Sequence, residues 1–508
     1  MSDKIITVFK NLNERQALVL LILVTFALRL YAVLMAQGIA NDSTAYGFMA
    51  KDFLKGHYIK GLSSPAPPFY SLLIFLFSPD TAHVEIIGRF ISLFFGTFTI
   101  IPLFFLVKKA IGRREAILTA LLYSFHPYLV TYSGMLLTEP TYWGLVVFSV
   151  YFFWTGLEKQ VTWKIGLAGI FLGLAYLTRP EGIGYVLVYL IWIIVEGILK
   201  KGWFKKIALI GVLILSALIF VIPYVIYIHQ ETGQWLISKK AKIAQNQFLN
   251  ENAEEVNPSK GIEQNKPIED NSKILRIAQN IVQFFPFVIY HYLRAYHFSL
   301  WLLLFFGLIR VRQKVIPYEL FLASLVLFHL LSLSTFVPST IRFAVPVIPL
   351  SLFWAGAGIL EIKRYLGKMK IFNPEKVIFL LLLFVVFIQL PQSLRPERAH
   401  RAGQKKVGLW LKQNTPPEAI IMSNSPQEAF YADRDFKILP WGISSHGFIA
   451  KSYDEIIDFA RTKGIRYILV NKNTHEKNPG FIESIQSTDL KEIYREADQR
   501  LVIYEVIY

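Results

Sequence analysis

The 508-residue chain contains no cysteine. Disulfides, thiolate metal sites and cysteine nucleophiles are therefore excluded. Charge is also scarce, at 18% of residues, and it leans one way: 53 Lys and Arg stand against 36 Asp and Glu, a net +17. An excess of that size draws polyanions, yet the cations come in short clusters between apolar runs. Such clusters set membrane topology rather than bind nucleic acid, and no nucleic-acid partner is expected. A cleavable signal peptide is missing too. The first apolar run is long and lacks a small-residue cleavage site, so it is expected to stay as an anchor. No internal repeat is evident.

What is there is apolar. Hydrophobic residues make up 54% and aromatics 15% of the chain, with a mean hydropathy of +0.42. This describes a polytopic α-helical membrane protein. Segments long enough to span lie near 17–36, 88–107, 115–133, 140–157, 164–180, 183–199, 207–228, 286–308, 318–336, 341–360 and 376–392. About eleven transmembrane helices are expected. If each crosses once, the clusters Lys108/Lys109/Arg113/Arg114, Lys200/Lys201/Lys205/Lys206, Arg310/Arg312/Lys314 and Lys363/Arg364/Lys368/Lys370 share one side with the N-terminus. The positive-inside rule makes that side cytoplasmic. An inner (plasma) membrane location follows, with loops 37–87, 229–285 and the tail after Pro391 outside. The polar 229–285 loop reads as a lid or a disordered stretch.

The 37–87 loop is the centre of the reading. Asp42 lies just past the first run, and Tyr46, Met49, Ala50, Phe53 and Leu54 follow as a helix-spaced stripe. That pattern suits a helix lying on a membrane surface. The run PPFYSLLIFLFSP is only about twelve residues long, too short to cross a bilayer. Pro67 and Pro68 start it and Pro79 stops it, so an interfacial or re-entrant helix is expected. Residues 1–392 form the membrane unit. Residues 393–508 alternate strand-like runs (AIIMSN, FKILPW, IRYILVN, RLVIYEVIY) with helix-like ones (GQKKVGLWLKQN, SYDEIIDFARTKG). This predicts a small extracytoplasmic α/β domain without a catalytic motif of its own.

Ionisable groups at the outer rim of the spans are costly and are functional candidates. They are Arg29, Asp42, Arg89, Glu139, Arg179, Glu181 and Arg342, with His126 deeper, in FHPY. An arginine fork suits a phosphate, and a carboxylate suits a hydroxyl whose proton must leave. Each has a plain alternative. Arg29 can snorkel, Glu139 can serve a helix N-terminus before Pro140, and Arg179 and Glu181 can pair across Pro180. Arg342 can neutralise a lipid phosphate. His126 reads as a packed histidine, since nothing around it has metal-ligand spacing.

The order of motifs resembles the GT-C membrane glycosyltransferases, specifically the dolichyl-phosphate-mannose protein mannosyltransferases and aminoarabinose transferases (glycosyltransferase family 39-like). The carrying stretches are LRLYA, NDSTAYGFMAKDFLKG with Asp42, PPFYSLLIFLF, HPYLVTYSGMLLTEP, AYLTRPEGIGY and IRFAVPVIPL. The resemblance implies a GT-C fold and transfer of a sugar from a polyprenyl-phosphate donor to a hydroxyl of a lipid, glycan or protein acceptor, with inversion. By the same resemblance Asp42 lies at the catalytic centre, as the base or an acceptor-positioning carboxylate, and Glu139 is a second acidic residue there. Arg179, Arg342 and Lys60 are expected on the donor phosphate, with Arg29, Arg89, Tyr46, Glu181 and His126 supporting. Many members carry an Asp-Glu pair where this chain has Asp42-Ser43. No required cofactor is expected; some members bind a metal, and no ligand pair for one is placed here. The alternatives are a lipid-linked sugar flippase, or an oligosaccharide ligase or polymerase using a diphosphate carrier.

Overall fold

The computed structural model describes residues 13–200, 202–239, 270–310, 316–335, 340–369, 373–395, 401–439, 441–444, 447–450, 452–471, 474, 481, 483–496 and 501–508. The chain is mainly helical, with one small sheet near its end. The first long helix, Glu14–Met35, opens on a capping box in which Asn13 and Gln16 satisfy each other's backbone N–H groups, removing two of the unpaired donors of a helix start.

Each of the eleven predicted spans meets a helix or a helix pair, but they are not all alike. Seven helices among the described residues are long and apolar enough to cross a membrane, or eight if one bent pair counts as a single span. The remaining predicted spans are shorter, more polar or broken. Span 115–133 divides into Arg113–Phe125 and Pro127–Ser133, because Pro127 holds His126 in extended backbone. Span 164–180 stops at Tyr176 after 15 residues, ahead of Pro180. Span 286–308 bends by 81° at His297, whose φ is 70°. Most of the polar 229–285 loop lies outside the described residues.

The proline-bounded run is a nine-residue helix, Phe69–Phe77. At 1.5 Å per residue it reaches about 14 Å, well short of a bilayer. The stripe on Asn41–Leu54 needs correcting. Tyr46, Met49, Ala50 and Phe53 do not lie on lipid; they pack into a core with Tyr70, Ile74, Val84, Leu136 and, from the tail, Phe430 and Tyr431. Protein covers the face that sequence periodicity assigned to a membrane surface.

The tail holds a five-stranded mixed sheet in the order β2-β1-β5-β7-β6, with β1 Ile420–Ser423, β2 Asp435–Ile438, β5 Ile465–Asn471, β6 Leu490–Arg495 and β7 Leu501–Val506. A separate hairpin pairs β3 Trp441–Ser444 with β4 Gly447–Ala450. Alternate residues of β5 face opposite ways. Tyr467 and Leu469 join Val407, Leu411 and Ala429 on one face, and Ile468 and Val470 join Tyr453, Ile456 and Ile457 on the other. Helices on both faces explain why β5 reads as an almost unbroken apolar run.

The tail docks on the 37–87 loop through charge as well as apolar contact. Lys51 Nζ donates to the Phe430 carbonyl at 2.6 Å and lies 3.4 Å from Asp433, which also takes Lys55 at 3.0 Å. Lys60 bridges Asp435 at 2.7 Å and Asp52 at 3.4 Å. Burial brings Lys51 down to about 8 despite Asp433 beside it. Burial also acts against the Asp433 carboxylate, but Lys51 and Lys55 outweigh it and hold Asp433 at about 2. Because that value is depressed, its contribution is complete above its ordinary range and is lost as pH falls toward 2. Asp433→Asn should weaken docking by about 1 kcal/mol once solvent screening is allowed for. Amide exchange in Asn41–Leu54 and Gln427–Ala432 should then quicken at pH 7; unchanged exchange in both helices would rule the ion pairs out as the tether.

Candidate active site

Four separate parts of the chain meet around one carboxylate. Glu139 opens the helix Glu139–Lys159 with Pro140 behind it, and its side chain is fully buried. Its Oε1 accepts from Arg179 Nη1 at 2.9 Å and also from Arg342 Nε. Arg342 Nη1 turns outward to Asp42 Oδ2 at 2.6 Å. Arg179 Nη2 reaches Glu181 Oε1 at 3.3 Å. The result is a continuous chain, Asp42–Arg342–Glu139–Arg179–Glu181, of three carboxylates and two guanidinia. Exposure rises outward from the middle, from 0% at Glu139 through 20% at Arg342 to 52% at Asp42, and on the other side through 10% at Arg179 to 25% at Glu181. The centre is enclosed and the Asp42 end is the more open of the two.

Local sequence explains each placement. Pro180 holds Arg179 in extended backbone (φ −149°, ψ 130°) and ends the preceding helix, so the side chain crosses to Glu139 instead of continuing a helical face. Tyr142 and Phe343 flank its guanidinium, their ring centres 5.7 and 5.2 Å away, a cation–π arrangement. Glu139 and Glu181 supply the counter-charges that a buried guanidinium needs. Behind Phe343, His329 Nε2 meets the Phe343 carbonyl at 3.0 Å and its Nδ1 meets the Tyr185 hydroxyl at 3.0 Å. Neither Tyr185 nor His329 stood out in the sequence, where each is a lone polar group in an apolar run.

The Asp42 end is fixed from three sides. Ser43 donates to the Leu136 carbonyl at 2.6 Å and accepts from the Ala40 N–H at 3.1 Å, tying the start of its helix to the segment just before Glu139. A carboxylate at position 43 would face that carbonyl, which gives a packing reason for Asp-Ser here in place of Asp-Glu. Thr138 donates to the Tyr46 hydroxyl at 3.3 Å. The Phe69 N–H donates to the Leu177 carbonyl at 2.9 Å, joining the short helix to the turn that carries Arg179.

Other predicted residues lie elsewhere. Lys60 is committed to Asp435 and Asp52 at the tail interface, because the short helix Tyr58–Leu62 presents it there; its expected place on a donor phosphate is corrected accordingly. Arg29 is fully buried and does not snorkel. It lies over the Tyr123 ring at 4.8 Å and donates to the Ser124 carbonyl at 3.4 Å. Arg89 donates to the carbonyls of Val33, Ala36 and Gly38 at 3.2, 2.6 and 3.2 Å and also pairs with Glu85. It closes the end of the first helix and aims the segment leading to Asp42. His126 is buried at the helix break before Pro127 and none of its ring contacts is with the cluster. Among the described residues no three His, Asp or Glu side chains form a group suited to a metal.

Fold and site together define a multi-span membrane protein with a buried acid–arginine cluster beside a docked α/β tail. Residues 65–227 match the family model described as dolichyl-phosphate-mannose-protein mannosyltransferase; the match takes in Glu139 and Arg179 and leaves Asp42 and Arg342 outside. The structure is similar to ArnT from Cupriavidus metallidurans in the apo state, with a TM-score of 0.64 at 13% identity over 96% of this chain and 97% of that one. The same protein bound to undecaprenyl phosphate gives 0.63 at 12% identity, over 96% and 98%. An oligosaccharyltransferase from Archaeoglobus fulgidus, tethered to an acceptor peptide, gives 0.54 at 13%, over 98% and 74%. No curated protein sequence matches. The chain has the fold of these solved structures, and part of it matches the mannosyltransferase family model.

Removing one partner of a buried ion pair costs about 3–5 kcal/mol, since the other charge stays buried. Glu139→Gln should therefore lower the thermal midpoint in detergent strongly, and the double variant with Arg179→Gln should lose less than the sum of the two single losses. Strictly additive losses would show that the two side chains are not coupled.

Proposed function

We propose that the chain transfers a sugar from a polyprenyl-phosphate donor to an acceptor hydroxyl on the extracytoplasmic face of the plasma membrane, with inversion at the anomeric carbon. In this reading residues 1–392 are the membrane-embedded catalytic unit, 393–508 an outer cap, and the N-terminus is cytoplasmic. The observation that carries it is the Asp42–Arg342–Glu139–Arg179 chain, with its open end at Asp42. A family model for mannosyltransferases and a shared fold with a protein solved with undecaprenyl phosphate support the choice of donor.

The roles divide by burial. Glu139 is enclosed and holds two guanidinia, so it is a positioning residue and not a base. The cluster has one more carboxylate than guanidinium, so a phosphate must displace an acid to be held. Asp42 is the most exposed acid of the cluster, and the contact it makes there is with Arg342. The donor phosphate takes Arg342, with Arg179 behind it, and Asp42 is released. Asp42 then accepts the proton of the acceptor hydroxyl as its oxygen bonds to the anomeric carbon. The bond from that carbon to the phosphate oxygen breaks, and the electron pair leaves with polyprenyl phosphate. The guanidinia stabilise charge that grows on the leaving oxygen, where stabilisation raises rate.

Purified protein supplied with a panel of polyprenyl-phosphate sugars should release or transfer the sugar, with activity kept in chelator. Asp42→Asn should cut turnover about 10²–10⁴-fold with the fold intact. Arg342→Ala should weaken donor use and slow the chemical step. Full activity in a folded Asp42→Asn variant would remove Asp42 as the base.

A further inference from the structure

We infer that the tail carries a glycan-binding crevice at the carboxyl ends of β1 and β5, which seats a sugar acceptor beside Asp42. The inference rests on the transferase reading for its acceptor role. β1 pairs in parallel with β2 on one side and with β5 on the other. The chain leaves β1 for β2 and later crosses back to β5, so the connections diverge between β1 and β5. In open α/β sheets a crevice beyond the carboxyl ends of the strands forms at such a point, and ligands bind there.

The residues beyond these two strand ends are polar. Asn424 donates to Thr474 Oγ1 at 2.7 Å. Ser425 receives Gln404 Nε2 at 3.1 Å and donates to Glu428 Oε2 at 2.7 Å. Asn471, at the end of β5, reaches the Ser425 hydroxyl at 3.5 Å. Ser425, Glu428 and Thr474 are buried and form the floor, while Gln404, Asn424 and Asn471 are half-buried at the rim. Glu428 is 0% exposed and its carboxylate interacts with Ser425 and Gln404, yet among the described residues no donor stands at hydrogen-bond geometry to its Oε1. A buried carboxylate oxygen without a donor is costly unless something supplies one.

Carboxamides, hydroxyls and one carboxylate, each able to pair with an O–H, are the side chains that recognise a sugar ring. The crevice also continues into the catalytic loop. Gln427, between Ser425 and Glu428, meets the Asn41 carboxamide, and Arg401 donates to Asn41 Oδ1 at 2.8 Å and to the Ile39 carbonyl at 3.1 Å. Asn41 precedes Asp42, so a ligand held here is presented at the proposed base.

The test is saturation-transfer NMR on the full chain in nanodiscs. The probes are methyl glycosides of glucose, galactose, mannose and arabinose, with a Ser/Thr-containing hexapeptide as the competing class. At least one glycoside should bind saturably. Glu428→Gln, which replaces the free acceptor oxygen with an amide, and Asn471→Ala at the rim should each weaken it at least fivefold, in proteins whose thermal midpoints show that they are folded. No saturable glycoside, equal binding in both variants, or binding of the hexapeptide alone would overturn the inference. Glycoside binding by a protein that releases no sugar from any polyprenyl-phosphate donor would keep the crevice as a glycan site and overturn its acceptor role together with the transferase reading.

Discussion

A carboxylate with no exposure to solvent, gripped by guanidinia from two distant turns, is the constraint on which the rest of this structure depends. Glu139 is tolerable in an apolar interior only because Arg179 and Arg342 both reach its Oε1. Those arginines must in turn be delivered from two turns far apart in the chain. The helix stop at Pro180 delivers one, and the short Ile341–Ala344 helix ahead of Pro346 delivers the other. Low dielectric makes such an arrangement strong when complete and costly when any member is missing.

The proposed function follows from the charge imbalance in this group. Two guanidinia satisfied by three acids form a closed set at rest, with one exposed member at Asp42. In that proposal an incoming donor phosphate competes for Arg342 on favourable terms, because guanidinium and phosphate oxygens pair in a bidentate fork. The same act that seats the proposed donor would then free the proposed base, so donor binding and readiness for chemistry would become one event.

The docked tail gives the open end of the cluster its shape. Asn41 is held by Arg401 and Gln427, and Lys51, Lys55 and Lys60 tie the rest of the same loop to Asp433 and Asp435. Gly47 lies so close that a Cβ there would come within 2.4 Å of the Phe430 ring. The segment with the exposed acid is therefore clamped between the membrane helices and the sheet. Its geometry depends on residues nearly four hundred positions away, about the separation of Asn41 from Gln427 (386).

The sequence by itself determined much of this. Long apolar runs make spanning helices wherever backbone groups cannot meet water, single prolines such as Pro127 and Pro180 set where helices break or stop, and alternating short runs fixed an α/β tail. Rim charges such as Asp42, Glu139, Arg179, Glu181 and Arg342 were legible because ionisable groups in apolar surroundings are expensive. Partner choice was not legible, since pairing is a property of distance. Only the tertiary structure put Arg342 on both Asp42 and Glu139, turned Arg29 inward, and sent Lys60 to the tail. It also decided that the Asn41–Leu54 stripe meets protein instead of lipid, because periodicity reports that a face is covered and says nothing about what covers it.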